Sequence, residues 1–375
     1  PTLFYLHALL PHFPFIFSGQ GMRSDNKFNF LSEQLRKSTG TNNWPAEVVA
    51  NLTWQAHLLQ LGYIDFLLGK ILDRLIELDM FAETLIIVIA DHGMSFYWDS
   101  LNIEREKLAN VQASETLLIP FLMKSPNQES SLISDSPAQI IDIVPTIAEA
   151  VGLTVPWQVG GLSVLQQISE NRTRFARVPD RRAFGAVIDP DYLALRRKTS
   201  LFGSGDLQKL YRSGPHPEIV GKPVNSFAMR TGYGSIQIDH PEQYIDVDPA
   251  SNKIPVYIEG EVSVFNPQDK DRRMQLAFAV NGMIQSTTVT TGLKISDLRK
   301  EESDAEWQSA EQRASSNFSD GKQVRQFLSR VPVESFKNGV NDIGVFVILD
   351  GNPGEPVALG TLDVLETEND GQKQL

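Results

Sequence analysis

The sequence predicts an α/β domain over residues 1–215, its mostly parallel sheet flanked by helices, followed by an antiparallel β-sandwich over 225–375. Three observations carry this. In the first part, uninterrupted apolar and β-branched runs alternate with segments of helical period, the pattern of parallel strands covered on both faces. In the second part, short alternating runs follow one another with turn residues between them and no clear helical period. Between the two, residues 214–224 are rich in proline and read as a linker.

Thr2–Leu10 is apolar on both faces and ends at Pro11, as a buried strand would. Residues 18–44 are polar and read as a long loop. Pro45 suits the first turn of a helix. From Ala46 to about Leu78, apolar residues recur at helical spacing (Val49, Leu52, Ala56, Leu59, Tyr63, Phe66), so one long amphipathic helix is expected. Thr84–Ala90 is the strongest strand signal, and it runs straight into Asp91-His92-Gly93. Leu117–Lys124 reads as another buried strand, closed by Ser125-Pro126, and Ile140–Val151 as a helix stopped by Gly152. Ala183–Ile188 and Tyr192–Leu201 read as two further strands. Beyond 225, strands are expected at Ser235–Ile238, Pro255–Phe265, Met274–Val280 and Val340–Leu349. Asn281-Gly282 between two β-like runs marks a hairpin. A polar stretch near 302–314 carries the one helical period in this part.

The chain has 34 Lys+Arg against 46 Asp+Glu, a formal net charge of −12, with 41% hydrophobic residues. That excludes a disordered chain, a collagen and a coiled-coil rod. The acidic balance argues against nucleic acid, which asks for a basic footprint. There is no cysteine, and so no disulfide, thiolate metal site or cysteine nucleophile within these residues. Residue 1 is Pro on an apolar run, so the chain reads as a piece of a longer protein cut inside a domain.

Four groups of residues could carry chemistry. Asp91 and His92 follow a buried strand, where open α/β sheets place their ligands, and both are natural ligands for a hard or borderline divalent cation. Asp and Gly are also common at plain strand-to-loop turns. His12 lies between Pro11 and Phe13-Pro14, whose stiff backbone fixes the imidazole direction cheaply. It could contact an anion or act as an acid, or be a turn histidine with no role. Arg105 and Lys107 sit in a polar loop and could hold anionic oxygens, or be solvated charges. The arginines between Arg172 and Arg182, with Arg196-Arg197-Lys198, read as a solvated basic face, with anionic lipid or polysaccharide as the alternative. His7, His57, His216 and His240 read as structural. There is no phosphate-binding glycine loop, no nucleophile elbow and no His-Glu-x-x-His.

Taken in order, these pieces form a pattern. A strand with His12-Phe13-Pro14 is followed by a long helix, then by a strand with Asp91-His92-Gly93. A strand with Pro120-Phe121-Leu122-Met123-Lys124-Ser125-Pro126 comes next. Then come Ile140-Ile141-Asp142-Ile143-Val144-Pro145-Thr146-Ile147 and Gly160-Gly161-Leu162-Ser163. Over about residues 1–215 this resembles the sulfatase family of the alkaline phosphatase superfamily.

The resemblance implies a hydrolase or transferase acting on sulfate or phosphate esters. It implies a divalent cation (Ca, Zn, Mn or Mg) held partly by Asp91 and His92. It implies a sulfate or phosphate contact at His12 and a structural role for Asp142 and Pro145. It places the nucleophile and further metal-binding aspartates upstream of Pro1, which would leave these residues inactive alone. Some relatives carry another His after Asp-His-Gly; residues 94–120 offer Arg105 and Lys107 instead. The resemblance also implies an extracytoplasmic, envelope location with a membrane anchor in an upstream segment, and a small-molecule, glycan or lipid ester as substrate. The alternative is a non-catalytic, carbohydrate- or ligand-binding protein of the envelope on a degenerate scaffold.

Overall fold

A computed structural model describes residues 2–24, 46–96, 114–173, 175–177, 183–185, 196, 199–200, 206–251, 253–264, 273–290, 323–349 and 356–365. They fall into two compact units. One comprises Pro1–Ala8 and Asp65–Lys198, the other Leu9–Ile64 and Thr199–Leu375.

The long helix forms as its spacing predicts. Helix α1 covers Ala46–Glu77, its first part in the second unit and the rest in the first. The amphipathic reading holds for only part of it. Residues 49–56 are buried all round, polar side chains included. Two of them reach backbone groups: Thr53 Oγ1 donates to the Val49 carbonyl at 2.8 Å and Gln55 Nε2 to the Leu210 carbonyl at 3.0 Å. Burying them unpaired would cost free energy.

In the first unit, strands β1 (Ile86–Ile89) and β2 (Phe121–Lys124) form where the apolar runs predict. They pair antiparallel, Ile86 opposite Lys124 and Ile89 opposite Phe121, and both are only part-buried. Among the described residues this pair therefore lacks the parallel neighbours and the double cover that continuous apolar runs led us to expect. Lys124 fastens β2 to the turn before β1. Its ammonium donates to the carbonyls of Phe81, Ala82 and Thr84 and lies 4.7 Å from the Phe81 ring centroid. Thr2–Leu10 departs most from expectation: it is no strand, and its apolar side chains are open, Phe4 at 83%. Pattern alone cannot bury a run that no strand faces.

Past β2, one 3-10 turn (Ile140–Asp142) leads into helix α2 (Ile143–Ala150). Pro145 sits in the first turn, where its missing N–H has no helical partner to lose. Asp142 is 0% exposed. Its Oδ1 accepts from the Leu162 amide and from the Arg172 guanidinium, both at 2.8 Å. Its Oδ2 accepts from the Gln139 amide at 2.8 Å and from Arg172 at 2.7 Å. Thr146 adds a link, accepting from the Val164 amide at 3.0 Å while its hydroxyl donates to the Asp142 carbonyl at 2.6 Å. So Arg172, read from the sequence as part of a solvated basic face, is the counter-charge of a buried carboxylate. Strands β3 (Phe175–Arg177) and β4 (Ala183–Gly185) form a small antiparallel pair. Most of Tyr192–Leu201 lies outside the described residues; positions 196, 199 and 200 are helical rather than extended.

The second unit is built on one seven-stranded sheet. Its strands are β5 (Ala228–Ile238), β6 (Tyr257–Val264), β7 (Gln275–Val280), β8 (Met283–Val289), β9 (Gln323–Arg330), β10 (Ile343–Leu349) and β11 (Ala358–Val364). Their order is β8-β7-β10-β11-β5-β6-β9, with every pairing antiparallel except β11–β5. The antiparallel texture expected of this part is therefore largely present. Among the described residues two packed sheets are not: these strands form a single sheet that rolls. Register slips at Phe278/Ala279 and at Gly360/Leu362 are bulges, which increase bend and twist. The roll brings the end strands together: Ser286 on β8 and Ser329 on β9 share a buried hydrogen bond of 2.8 Å, and the Phe278 and Phe327 rings lie 5.6 Å apart inside.

Asn281 and Gly282 take φ of 52° and 78° and make the β7–β8 turn, the two-residue turn with both φ positive that the pair of residues calls for. The stretch read as a linker is instead docked on β8. The Gly221 amide donates to the Ile284 carbonyl (2.8 Å), the Ile284 amide to Lys222 (3.0 Å) and the Val224 amide to Gly282 (2.9 Å). Ile219 packs with Ala277, Ile284, Ile348 and Leu359. His216 and His240 both take left-handed conformations ahead of a proline, and each pairs with the Glu two residues on, at 3.1 and 3.4 Å.

The same unit holds residues 9–24. Phe15 is buried, Phe17 packs on Tyr63 with centroids 5.2 Å apart, and Ser24 bridges to Ile254. Arg330 is 1% exposed and reaches the Ser24 hydroxyl at 3.4 Å and the Tyr257 hydroxyl at 3.3 Å. Burial pushes the nearby Tyr211 phenol far above its ordinary pKa, with Arg330 pulling the other way. No helix among the described residues is long and apolar enough to cross a membrane.

Candidate functional site

Asp91 and His92 follow β1 directly, and the bend they sit on depends on Gly93. The Gly93 amide donates to the Thr116 carbonyl at 2.8 Å, and a Cβ at 93 would lie 2.1 Å from the Glu115 carbonyl oxygen. Only glycine lets the two backbones approach so closely. Beside them, the Ser95 hydroxyl donates to the buried Glu115 carboxylate at 2.6 Å. Gly93→Ala is expected to push the 91–93 bend away from 114–116 and to destabilise the first unit by about 1–3 kcal/mol. Urea denaturation checks the loss, and a midpoint equal to wild type would contradict this packing.

The Asp91 and His92 side chains are turned to solvent, 81% and 60% exposed. Asp91 Oδ1 accepts from the His92 amide at 2.9 Å, which leaves Oδ2 free of that turn. His92 Nδ1 lies 2.8 Å from the Gly93 carbonyl oxygen. A carbonyl only accepts, so Nδ1 carries the proton and the neutral ring keeps its lone pair on Nε2. Fixing one ring nitrogen on a carbonyl is how metal-binding histidines are commonly oriented. His92 Nε2 and Asp91 Oδ2 are 3.8 Å apart. Two ligands each about 2.2 Å from one cation stand at most about 4.4 Å apart, so one cation can touch both. The donor set thus fits a divalent cation in type and in spacing. It supplies two ligands, since no group of three or more His, Asp or Glu side chains that could hold a metal occurs among the described residues.

His12 belongs to the other unit and is exposed just after Pro11. Its amide donates to the Leu9 carbonyl at 2.9 Å, its ring lies against Phe13 at 4.0 Å between centroids, and its Nδ1 lies 2.8 Å from the Phe13 carbonyl oxygen. Here too Nδ1 bears the proton and Nε2 is left to accept. Arg105 and Lys107 lie outside the described residues. The structure therefore brings Asp91 and His92 together and gives His12 and His92 the same ring polarity.

Two nearby residues gave no sequence signal. Glu115 is a buried carboxylate in an ordinary stretch. Gln60 sits on a helical face whose neighbours, Ala56 and Leu59, are apolar and buried. A polar residue at such a position is the one hint that was available.

Residues 1–153 match the model of the sulfatase family. Among curated proteins, the chain is similar to mouse (Mus musculus) arylsulfatase K, 28% identical over 121 residues, which is 31% of this chain and 21% of the relative. Human (Homo sapiens) arylsulfatase K is 29% identical over 107 residues, 28% of this chain and 19% of the relative. The bovine (Bos taurus) protein is 29% identical over 109 residues, with the same two shares. The matches thus span about a fifth of the length of these relatives. No solved structure matches the chain significantly. The matched segment contains α1, β1 and β2 in α/β arrangement, together with every motif from His12 to Gly152. Over residues 1–153 the chain is therefore similar to the sulfatase family.

Proposed function

We propose that the protein containing this chain hydrolyses or transfers an ester of sulfate, or of the isosteric phosphate, with help from a divalent cation. One observation carries the reading: the segment matched to the sulfatase family encloses all five candidate residues, His12, Asp91, His92, Arg105 and Lys107. The relatives' shared name, arylsulfatase, favours sulfate.

Asp91 Oδ2 and His92 Nε2 would hold the cation, each oriented by a bond on its other atom. When bound, the cation supplies neutralisation of charge on the non-bridging oxygens and lowers the pKa of a nucleophile. His12 meets the ester through Nε2. In the neutral ring this atom accepts a proton; once protonated it donates to the leaving oxygen, with Nδ1 still tied to Phe13. Arg105 can grip two ester oxygens with its guanidinium and Lys107 one with its ammonium. The nucleophile and the remaining carboxylates belong, on this reading, to residues upstream of position 1, and so does a membrane anchor that holds the enzyme outside the cytoplasm. There β1 and β2 join a larger, mostly parallel sheet. The rolled sheet is an appended accessory domain.

The test uses a chain extended upstream to its natural soluble boundary. It is assayed on aryl sulfate, phosphate monoester and phosphodiester, with and without added divalent metal, beside Asp91→Ala and His92→Ala. The expected result is metal-dependent turnover, highest on the sulfate ester, that falls roughly a hundredfold or more in either variant. Turnover on no substrate, with metal content equal in variant and wild type, would discard this reading. It would leave a binding protein on a sulfatase scaffold.

A further inference from the structure

We propose that Gln60 is a positioning residue for His12, holding the backbone from His12 to Phe17 so that the imidazole is presented in one orientation. The proposal rests on the reading of His12 as the group that meets the ester.

Gln60 is 0% exposed. Its Nε2 donates to the His12 carbonyl at 2.8 Å, and its Oε1 accepts from the Ile16 amide at 3.0 Å and the Phe17 amide at 3.4 Å. One carboxamide thus closes both ends of a loop that has no secondary structure of its own. The loop needs this. Pro11 and Pro14 remove two backbone donors, so few bonds can form within it. The next turn is held separately, by the Ser18 hydroxyl accepting from the Met22 amide at 3.1 Å and by the Ser24 amide donating to Ile16 at 2.7 Å. Packing does not ask for glutamine at 60. A Leu or Met would fill the space on this buried face, at the cost of leaving the His12 carbonyl and Ile16 amide without partners. Its polarity is spent wholly on the backbone next to the imidazole. The His12 ring is tied to Phe13, one residue on, so a shift of that backbone turns the ring.

The test reads His12 directly. In the full chain labelled with 15N, long-range proton–nitrogen correlation spectra report the tautomer of each imidazole. The wild type is expected to show His12 with the proton on Nδ1. Gln60→Met and Gln60→Leu keep the apolar volume and remove the bonds. Both are expected to move His12 toward the averaged signals of a free imidazole, with His92 unchanged. Ser18→Ala loosens the neighbouring turn without touching His12 and should leave its pattern intact. In the upstream-extended enzyme, the two Gln60 variants should lower kcat by about one to two orders of magnitude, with KM little changed.

A cooperatively melting Gln60 variant whose His12 signals coincide with wild type overturns the proposal. So does failure of both variants to melt cooperatively, since Gln60 would then be a folding residue. The two readings fail separately: if His12→Ala leaves turnover intact, the role of His12 falls. If the imidazole ignores Gln60, the role of His12 stands and the positioning role goes.

Discussion

Arg172→Ala is expected to cost about 3–5 kcal/mol at neutral pH, because it leaves a buried carboxylate without its counter-charge. Asp142 is fully buried, and two of its four hydrogen bonds come from this guanidinium. Burial pushes the Asp142 carboxyl up, but Arg172 and the Leu162 and Gln139 amides more than offset it, so its pKa lies below the ordinary aspartate value. In the wild type its stabilisation is therefore complete above the unfolded value of about 3.9. It fades as pH falls through the lower folded value. In Arg172→Ala only the Leu162 and Gln139 amides are left to offset burial, so the folded carboxyl is held less far below its ordinary range than in the wild type and the variant loses less stability in acid. Urea denaturation of both proteins between pH 7 and pH 4 should show the gap narrow as pH falls. A gap that is small at pH 7, or that does not change with pH, would mean that the pair is not buried as described.

Phe278→Ala should cost the second unit about 3–5 kcal/mol. The ring is 0% exposed, on the central part of β7, and faces Phe327 from the opposite end of the sheet. Truncation leaves a cavity where the roll closes and removes an aromatic pair worth about 0.5–1.5 kcal/mol beyond its area. Phe278→Leu should recover more than half of the loss. A difference below about 1 kcal/mol for the Ala variant would contradict a packed interior at this point.

What the sequence disclosed follows from how local each signal is. Helix α1, strands β1, β6, β7 and β10 and the Asn281-Gly282 turn were legible because period and turn chemistry act within a few residues. Asp91, His92 and His12 stood out as candidates for the same reason, each standing at a marked strand end or between prolines. Pairing was not legible. Thr2–Leu10 has the pattern of an interior strand, yet the pattern does not say what lies opposite, and it is exposed. Arg172 stands in a run of arginines, and its buried partner is 30 positions away. Residues 214–224 have the composition of a linker, but their backbone groups find β8. One bent sheet and two packed ones share the same alternation, so strand count could not decide between them. Gln60 is a single polar residue in a helix, and only its three backbone contacts reveal a use for it.

The rolled sheet also bears on how the chain behaves when concentrated. A flat sheet ends in two rows of unpaired amides and carbonyls, and these recruit strands from other molecules into fibrils. Here β8 bonds to β7 on one side and to residues 221–224 on the other, while the end strands meet across Ser286 and Ser329. A passing strand finds the template at β8 already taken. The segment that packs on this edge therefore also guards β8 against pairing with a strand from a neighbouring molecule.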